Sequence, residues 1–185
     1  MDDEAHVDDD ASGPAQAGAT GGAPGEDEPI WSDERIAGIV GWTIIQAYLA
    51  FLPRLAAAVE PAGISPTQFG VLVQVDNRPG ISQGELARRC WMTPQSMGQL
   101  LPALEERGLL RRGERRGRGH PIPVRLTDQG RAALRRVTPA VVRANSAAAM
   151  HLDDDEHAQL NALLRRTLGG PGDPLASGQG QVERT

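Results

Sequence analysis

Among the residues of this chain that could act chemically, a cluster of arginines gives the clearest indication of what the chain binds. All 19 basic residues are arginine, and thirteen of them lie between Arg78 and Arg136 against five acids, so that stretch has a formal charge of +8. The whole chain carries a net charge of -5. A guanidinium group binds phosphate oxygens through parallel N–H groups. A basic module within an acidic chain therefore indicates a polyanionic partner such as double-stranded DNA.

The densest arginines lie in segment 111–118, which contains no apolar residue and so cannot fold into a core. Such a charge run is often only a solvated loop. Here it follows a helix with a capped start and a polar outer face, and this combination favours a wing that contacts DNA. The side chains predicted to contact DNA from the wing are Arg112, Arg115, Arg116, Arg118 and His120.

Two helices with recognisable starts precede this wing. Ser82 is followed three residues later by Glu85, which is the pattern of a capping box. Thr93 offers an N-cap oxygen to the second helix, and Pro94 takes its first position, where a missing N–H costs nothing. Gly108 is well placed to end that helix. Helix, tight turn and second helix together predict a helix-turn-helix. The inward face of its second helix is predicted to consist of Met97, Leu100, Leu101 and Leu104.

The outward face of the second helix carries polar side chains that can read base edges. Gln95 and Gln99 lie four residues apart on this face, with Ser96 at its edge. Glutamine pairs bidentately with N6 and N7 of adenine, so this face suits the major groove. The residues predicted to contact DNA from this helix are Thr93, Gln95, Ser96 and Gln99.

Three short strands are expected around the two helices. Ile81 supplies the first, and the second begins at Leu109. Apolar residues alternate through segment 122–126, which predicts the third strand. Two prolines, Pro121 and Pro123, are expected to confine that strand to the edge of the sheet.

Apolar stripes predict further helices on both sides of this module. The first covers about residues 32–60, and Pro53 is expected to kink it. After the wing, a helix over about residues 127–150 is expected to bend at Pro139, and a last helix covers about residues 153–168. The predicted fold class is therefore mainly α with a small β wing: a winged helix-turn-helix over residues 64–126, with terminal helices.

Both ends of the chain are predicted to be disordered. Residues 1–31 are rich in Asp, Glu, Gly, Ala and Pro, and the segment Met1–Glu34 holds eleven acids and no Lys or Arg. This N-terminal tail either only solubilises the protein or competes with DNA for the basic wing. Residues 169–185 consist mainly of Gly, Pro, Ser and Gln.

The single cysteine, Cys90, excludes an internal disulfide and fits the reducing cytoplasm, which is the predicted location. Cys90 is read as a buried, inert thiol, with a redox switch as the alternative because Arg88 and Arg89 are adjacent. No uninterrupted apolar run reaches 18 residues, so no membrane span is expected. The acidic N-terminus also lacks the features of a signal peptide.

Sites for metals, cofactors and catalysis are not expected. His151 and His157 flank four acids, but histidines six residues apart do not share a helical face, and the acids suit a helix start. There is no glycine-rich cofactor loop after a strand, and no Ser-His-Asp set or carboxylate pair stands out. The chain is therefore predicted to be no enzyme.

Five segments, GISPTQFGVL, SQGELARR, MTPQSMGQLL, LEERGLLRR and VRLTDQG, occur here in an order and spacing that resemble the MarR family of winged-helix transcriptional regulators. The resemblance covers about residues 32–168. It implies a homodimer held by helices within residues 32–60 and 127–168, which binds pseudo-palindromic DNA and is often released by a small molecule. It also implies an effector pocket between the dimer helices and the DNA-binding lobe. The aromatic residues available to line that pocket are Trp42, Tyr48 and Phe69.

Three positions depart from the family pattern. Gln99 replaces an arginine that is usual in the recognition helix, Pro102 interrupts that helix, and the wing tip reads Arg118-Gly119-His120. The function predicted is a sequence-specific DNA-binding transcriptional regulator, more often a repressor, that a small-molecule effector releases. The alternative is a winged-helix protein-interaction module that has lost operator recognition.

Overall fold

The computed structural model describes residues 29–113 and 122–168, so the predicted disordered tails lie almost wholly outside it. The chain divides after Thr43 into two compact units. The described part of the first unit contains helix α1 (Asp33–Ala37) and the beginning of α2 (Val40–Val59). The Ser32 side chain accepts a hydrogen bond from the Arg35 N–H and starts α1.

The second unit completes α2 and contains the winged helix-turn-helix and the last two helices. A 3-10 turn (Glu60–Ala62) follows α2, and a second one (Ala148–Met150) lies between the last two helices. The remaining elements, in chain order, are α3 (Pro66–Asn77), β1 (Ile81–Ser82), α4 (Gln83–Arg89), α5 (Pro94–Glu106), β2 (Leu110–Arg112), β3 (Pro123–Leu126), α6 (Asp128–Ala144) and α7 (Asp154–Leu168).

Side-chain caps explain where most of these helices begin. Ser65 accepts from the Gln68 N–H, and the Gln68 side chain accepts from the Ser65 N–H, which makes a complete capping box at α3. Thr127 caps α6 by accepting from the Gly130 N–H at 3.0 Å. At α4 only half of the predicted box forms. Ser82 accepts from the Glu85 N–H, but the Glu85 carboxylate binds two arginines of its own helix instead.

The three strands form an antiparallel sheet in the order β1-β3-β2, so the prediction that the third strand lies at the edge is wrong. Pro123 is the first residue of β3, where no ladder N–H is needed from it. Its carbonyl still accepts from the Gly113 N–H at 2.8 Å. Ile81 pairs with Val124, and Leu110 pairs with Leu126.

The core lies between α3, α4, α5, the sheet and α6. The start of α6 packs closely on Leu109, the residue before β2: a Cβ added at Gly130 would lie 1.9 Å from the Leu109 carbonyl oxygen. Only glycine fits at that position. The largest fully buried side chains of the core are Leu72, Leu86, Met97, Leu101, Leu104, Leu110, Val59, Val71, Val75, Val124 and Val137.

Three prolines that the sequence suggested as kinks or interruptions lie inside continuous helices. Pro53 lies within α2, Pro102 within α5 and Pro139 within α6. Each is exposed, so water can reach the carbonyl group that loses its N–H partner. The predicted first helix is instead broken at Gly38 and Ile39, before α2 begins. The α6 helix also ends at Ala144, earlier than predicted.

The segment Val40–Ala62 is long and apolar enough to cross a membrane by length and composition alone, with a mean hydropathy of 1.3. Gln46 and Arg54 divide its apolar residues, so the segment contains no uninterrupted apolar run of 18 residues. Arg54 donates a hydrogen bond to the Ala149 carbonyl, and the last two residues of α2 are buried. The C-terminal end of α2 therefore packs on its own chain.

Candidate nucleic-acid interface

Helix α5 begins with the cap that the sequence predicted. Thr93 Oγ1 accepts from the Ser96 N–H at 3.0 Å and lies 2.8 Å from Ser96 Oγ, while Pro94 takes the first helical position. Met97, Leu101 and Leu104 are fully buried and hold the helix on the core. The start of α5 is thus fixed both by its cap and by its packing.

The four residues predicted to contact DNA from α5 are all exposed: Thr93, Gln95, Ser96 and Gln99. Gln95 and Gln99 lie one helical turn apart on the exposed face, so their amide groups can reach neighbouring base pairs. The Ser96 hydroxyl already exchanges a hydrogen bond with Thr93. The assignment of these four residues to DNA contacts stays a prediction.

Arg112, at the base of the wing, is held by a carboxylate of α5. Its Nε donates to Glu105 Oε2 at 2.8 Å, its Nη2 lies 2.7 Å from the same oxygen, and its backbone N–H donates to Glu105 Oε1 at 3.1 Å. Hydrogen bonds from Arg112 hold the pKa of the Glu105 carboxyl below its ordinary value. Arg112 therefore ties β2 to the recognition helix, and its charge is already paired with an internal carboxylate.

Two further arginines lie side by side on the outer face of the sheet. Arg111 of β2 pairs directly with Arg125 of β3, and both are exposed. The Arg125 guanidinium lies over Gly80, where an added Cβ would be 3.1 Å from Nη2 and where φ is +94°. Like charges directly opposite one another repel, so this pair favours a bound anion such as a DNA phosphate.

Comparisons with known proteins agree with this geometry. A family model described as MarR family matches residues 62–119. Over 127 residues the chain is 34% identical to Rv2887, an HTH-type transcriptional repressor of Mycobacterium tuberculosis, and the alignment covers 69% of this chain and 91% of that protein. The chain belongs to the MarR family.

Solved structures of MarR-type regulators show the same fold. The repressor CouR bound to a 23-mer DNA duplex aligns with a TM-score of 0.68 and 28% identity, covering 74% of this chain and 97% of that chain. Rv2887 in complex with salicylic acid aligns with a TM-score of 0.57 and 28% identity, covering 70% and 96%. The winged helix-turn-helix fold predicted from the sequence is confirmed.

The wing itself carries four predicted DNA contacts that lie outside the described residues: Arg115, Arg116, Arg118 and His120. Their assignment to DNA stays a prediction. Arg125 was not among the residues predicted from the sequence, although the alternation of side chains along the strand could have identified it. Val124 and Leu126 point into the core, so the side chain between them must point outward.

Two clefts of the second unit, one on each side of α3, could take small molecules. One, of about 450 Å³, lies between α3 and α6 and includes Phe69, Asp76 and Arg135 in its wall. The other, of about 320 Å³, lies between α2, α3 and the turn before α5 and includes Tyr48. The aromatic residues predicted for one pocket are thus separated, and the third, Trp42, is exposed in the first unit.

Cys90 ends α4 and is half-buried. Burial raises the pKa of its thiol, and the nearby Arg89 charge opposes that rise to a smaller extent. A thiol with a raised pKa is a poor nucleophile at neutral pH, so this environment favours an inert Cys90 over a redox switch.

The acids near His151 and His157 have a structural explanation. Asp153 Oδ1 accepts from the Glu156 N–H at 2.8 Å, and the Glu156 carboxylate accepts from the Asp153 N–H at 2.9 Å, which is a capping box at α7. Within residues 29–113 and 122–168, no group of three or more His, Cys, Asp or Glu is placed to hold a metal ion.

Proposed function

We propose that this protein is a transcriptional repressor that binds a pseudo-palindromic operator as a homodimer and is released by a small-molecule effector. Its relatives support the proposal, because they include a protein named a transcriptional repressor and a repressor solved on DNA. The proposed action is binding rather than catalysis, and the proposed location is the cytoplasm, where the chromosome lies.

The observation that carries the proposal is the exposed polar face of α5 beside a basic sheet. Gln95 and Gln99 are exposed on a helix whose opposite face is fully buried, so they face outward in a fixed orientation. Arg111 and Arg125 add two exposed charges at the base of the wing. One element can then read bases while the other neutralises phosphates.

The exposed apolar side chains of the terminal helices support a homodimer. Ile45 and Leu49 of α2 and Leu163 of α7 are each about half exposed in the single chain, at 48%, 56% and 47%. Exposed apolar side chains of this size are unfavourable in water, and a second copy of the same helices would bury them in a symmetric interface. Two copies also present two recognition helices, as a pseudo-palindrome requires.

Site selection from genomic DNA tests this function, using the wild type, Gln99→Ala and Gln99→Arg. We expect alanine to cost about 1–3 kcal/mol at one base pair of each half-site and to relax only that position. Arginine should change the preferred base there from adenine to guanine, because it pairs with O6 and N7 of guanine.

Ala103→Ser serves as the control, because this exposed residue lies on α5 beyond the two glutamines. It should leave the selected sequence unchanged. If the wild type binds every duplex equally and only through its salt-dependent affinity, the protein is no operator-specific repressor. If Gln99→Ala and Gln99→Arg both select the wild-type sequence, base reading lies elsewhere in the protein.

A further inference from the structure

The outer face of the sheet carries positive charges that no described part of the chain balances. Arg111 of β2 and Arg125 of β3 lie directly opposite one another, and both side chains are exposed. Within residues 29–113 and 122–168, neither guanidinium group takes part in an ion pair or a side-chain hydrogen bond. The three strands themselves contain no Asp or Glu. We call this surface the arginine face.

Arginines beside this face show how the chain pairs its other positive charges. Arg112, the next residue after Arg111, binds the Glu105 carboxylate at 2.7 Å, and Arg131 of α6 binds Asp128 at 2.6 Å. Two guanidinium groups directly opposite one another repel unless an anion lies between them. The arginine face therefore favours a carboxylate or phosphate from outside the described residues.

Gly80 shapes the centre of the arginine face. It has a φ of +94°, and its N–H donates to the Val124 carbonyl at 2.9 Å, so bare backbone lies beside β3 at this point. The Arg125 guanidinium lies over this backbone, because an added Cβ at Gly80 would be 3.1 Å from Nη2. A side chain that already rests on the sheet loses less conformational entropy when it binds an anion.

The chain itself contains an anion of matching charge. Residues 1–28, which lie outside the described residues and which we call the acidic segment, hold nine Asp and Glu and no Lys or Arg. Six of the nine acids lie within residues 2–10. A carboxylate accepts from a guanidinium group in the same two-pronged geometry as a phosphate. The acidic segment therefore has the chemistry to compete with DNA for the same two arginines.

The acidic segment is long enough to reach the arginine face whatever the placement of residue 29. Covalent geometry lets 28 residues span at most about 95 Å, whereas a compact unit of about 120 residues has a radius of gyration of about 14 Å. A group tethered to the same chain has an effective concentration on the order of 1 mM. A weak attraction is then enough to fill the face.

We propose that the acidic segment binds the arginine face in the absence of DNA and competes there with DNA phosphates. With a Kd of about 0.1 mM and an effective concentration of about 1 mM, the segment occupies the face about nine-tenths of the time and lowers DNA affinity about tenfold. The competition rests on the proposed DNA-binding function. The docking of the segment holds or fails without DNA.

A fluorescently labelled peptide of residues 1–28 tests the docking by anisotropy. Its partners are the full-length wild type and a full-length neutralised variant, in which the six acids of residues 2–10 are replaced by Asn and Gln. The neutralised variant should bind the peptide with a Kd of about 0.1 mM at low salt, and the wild type about tenfold more weakly, because its own segment occupies the face. Equal binding by both proteins would overturn the proposal, and so would no binding by the neutralised variant up to about 1 mM.

Arginine variants of the neutralised protein locate the peptide. The double change Arg111→Gln and Arg125→Gln should weaken peptide binding about fivefold or more, and salt of about 0.5 M should abolish it. The matched control is Arg135→Gln with Arg143→Gln, two exposed arginines that lie about 10 and 22 Å along α6 from its start. It should bind the peptide within about twofold of the neutralised protein. Equal losses in both double variants would mean that net charge attracts the peptide, and the arginine face would be wrong. Thermal unfolding checks that all variants are folded.

A DNA duplex of mixed sequence tests the competition. At low salt the neutralised variant should bind it about fivefold or more tightly than the wild type. A second variant, with Asp and Glu exchanged at the same six positions, keeps the charge and should bind as the wild type does. In the Arg111→Gln and Arg125→Gln background, neutralisation should raise DNA affinity less than about twofold, because the face that the segment covers is gone.

The outcomes separate this proposal from the proposed function. If neutralisation raises DNA affinity equally with and without the two arginines, the acids act by general repulsion and the competition at this face is wrong. If the peptide binds the arginine face but no duplex binds the neutralised variant, the DNA-binding function fails while the docking stands. If duplex affinity depends on Arg111 and Arg125 but the peptide never binds, the face takes DNA alone and the proposal is overturned.

Discussion

The winged helix-turn-helix and the helices α2 and α7 share the same apolar periodicity, but α2 and α7 leave most of their apolar face exposed in the single chain. In the first region, apolar residues such as Leu72, Leu101 and Leu104 are fully buried against other elements of the same chain. In α7 no residue is buried, and in α2 only Ala58 and Val59 are. The DNA-binding module therefore buries its apolar residues within one chain, whereas α2 and α7 leave apolar surface that one chain does not cover.

An apolar stripe on a helix predicts which face is buried, but it does not predict what covers that face. A 3.6-residue period predicts that one face of a helix will avoid water. It does not say whether the cover comes from the same chain, from a second copy or from a small molecule. The stripe of α2 illustrates this, because Leu52 and Leu55 are partly buried and line a cleft while Ile45 and Leu49 remain exposed.

The largest expected effect on stability comes from the core of the winged helix-turn-helix. Leu101→Ala should lower the free energy of unfolding by about 2–5 kcal/mol, because it leaves a cavity in a fully packed core. Urea denaturation at several protein concentrations checks this, and the loss should not depend on concentration. The matched change Leu163→Ala, on the half-exposed face of α7, should cost much less in a diluted sample. Equal losses in both variants would contradict the distinction between a module that buries its apolar residues within one chain and helices that leave them exposed.

The next largest effect concerns the exposed apolar face of α7. Leu163→Glu should weaken the dimer by about 2 kcal/mol or more, because the charge would be buried without a partner at the interface. Sedimentation equilibrium should then show monomer at concentrations where the wild type is a dimer. Ala158→Glu, exposed on another side of α7, is the control and should leave the dimer intact. An unchanged dimer in Leu163→Glu would mean that α7 is not the subunit interface.

A smaller difference in stability is expected between the N-cap of α6, which packs on the core, and the N-cap of α7. Thr127→Ala removes a part-buried cap that also donates to the Gly108 carbonyl, and it should cost about 1–2 kcal/mol. Asp153→Ala removes the exposed cap of α7 and should cost about 0.5–1 kcal/mol. Thermal unfolding of both variants measures the difference. A larger loss at Asp153 would show that α7 is more tightly coupled to global stability than its exposure indicates.

The smallest expected effect is a pH dependence at the base of the wing. Because the pKa of Glu105 is lowered in the folded protein, its pairing with Arg112 stabilises the fold fully above the ordinary pKa of 4.5. That stabilisation is lost as the pH falls through the lowered value. The stability difference between the wild type and Glu105→Gln should therefore shrink below pH 4.5. In an Arg112→Gln background this pH dependence should disappear, and its persistence there would point to another partner.

The sequence by itself determined the features that depend on neighbours a few residues apart. The caps at Thr93 and Thr127 follow from hydrogen bonds that span three residues. The outward position of Gln99 follows from the helical period set by Met97, Leu101 and Leu104. Such interactions are local, so the order of residue types is enough to predict them.

Only the tertiary structure decided the features that depend on distant partners. Strand β3 lies in the centre of the sheet because it pairs with both β1 and β2, which its own prolines did not suggest. The same pairing puts Arg125 beside Arg111. The turn before α5 forms a cleft with α2 because about forty residues of intervening chain fold back between them. Which side chains meet across such separations is decided by packing, and a single run of residues does not contain that information.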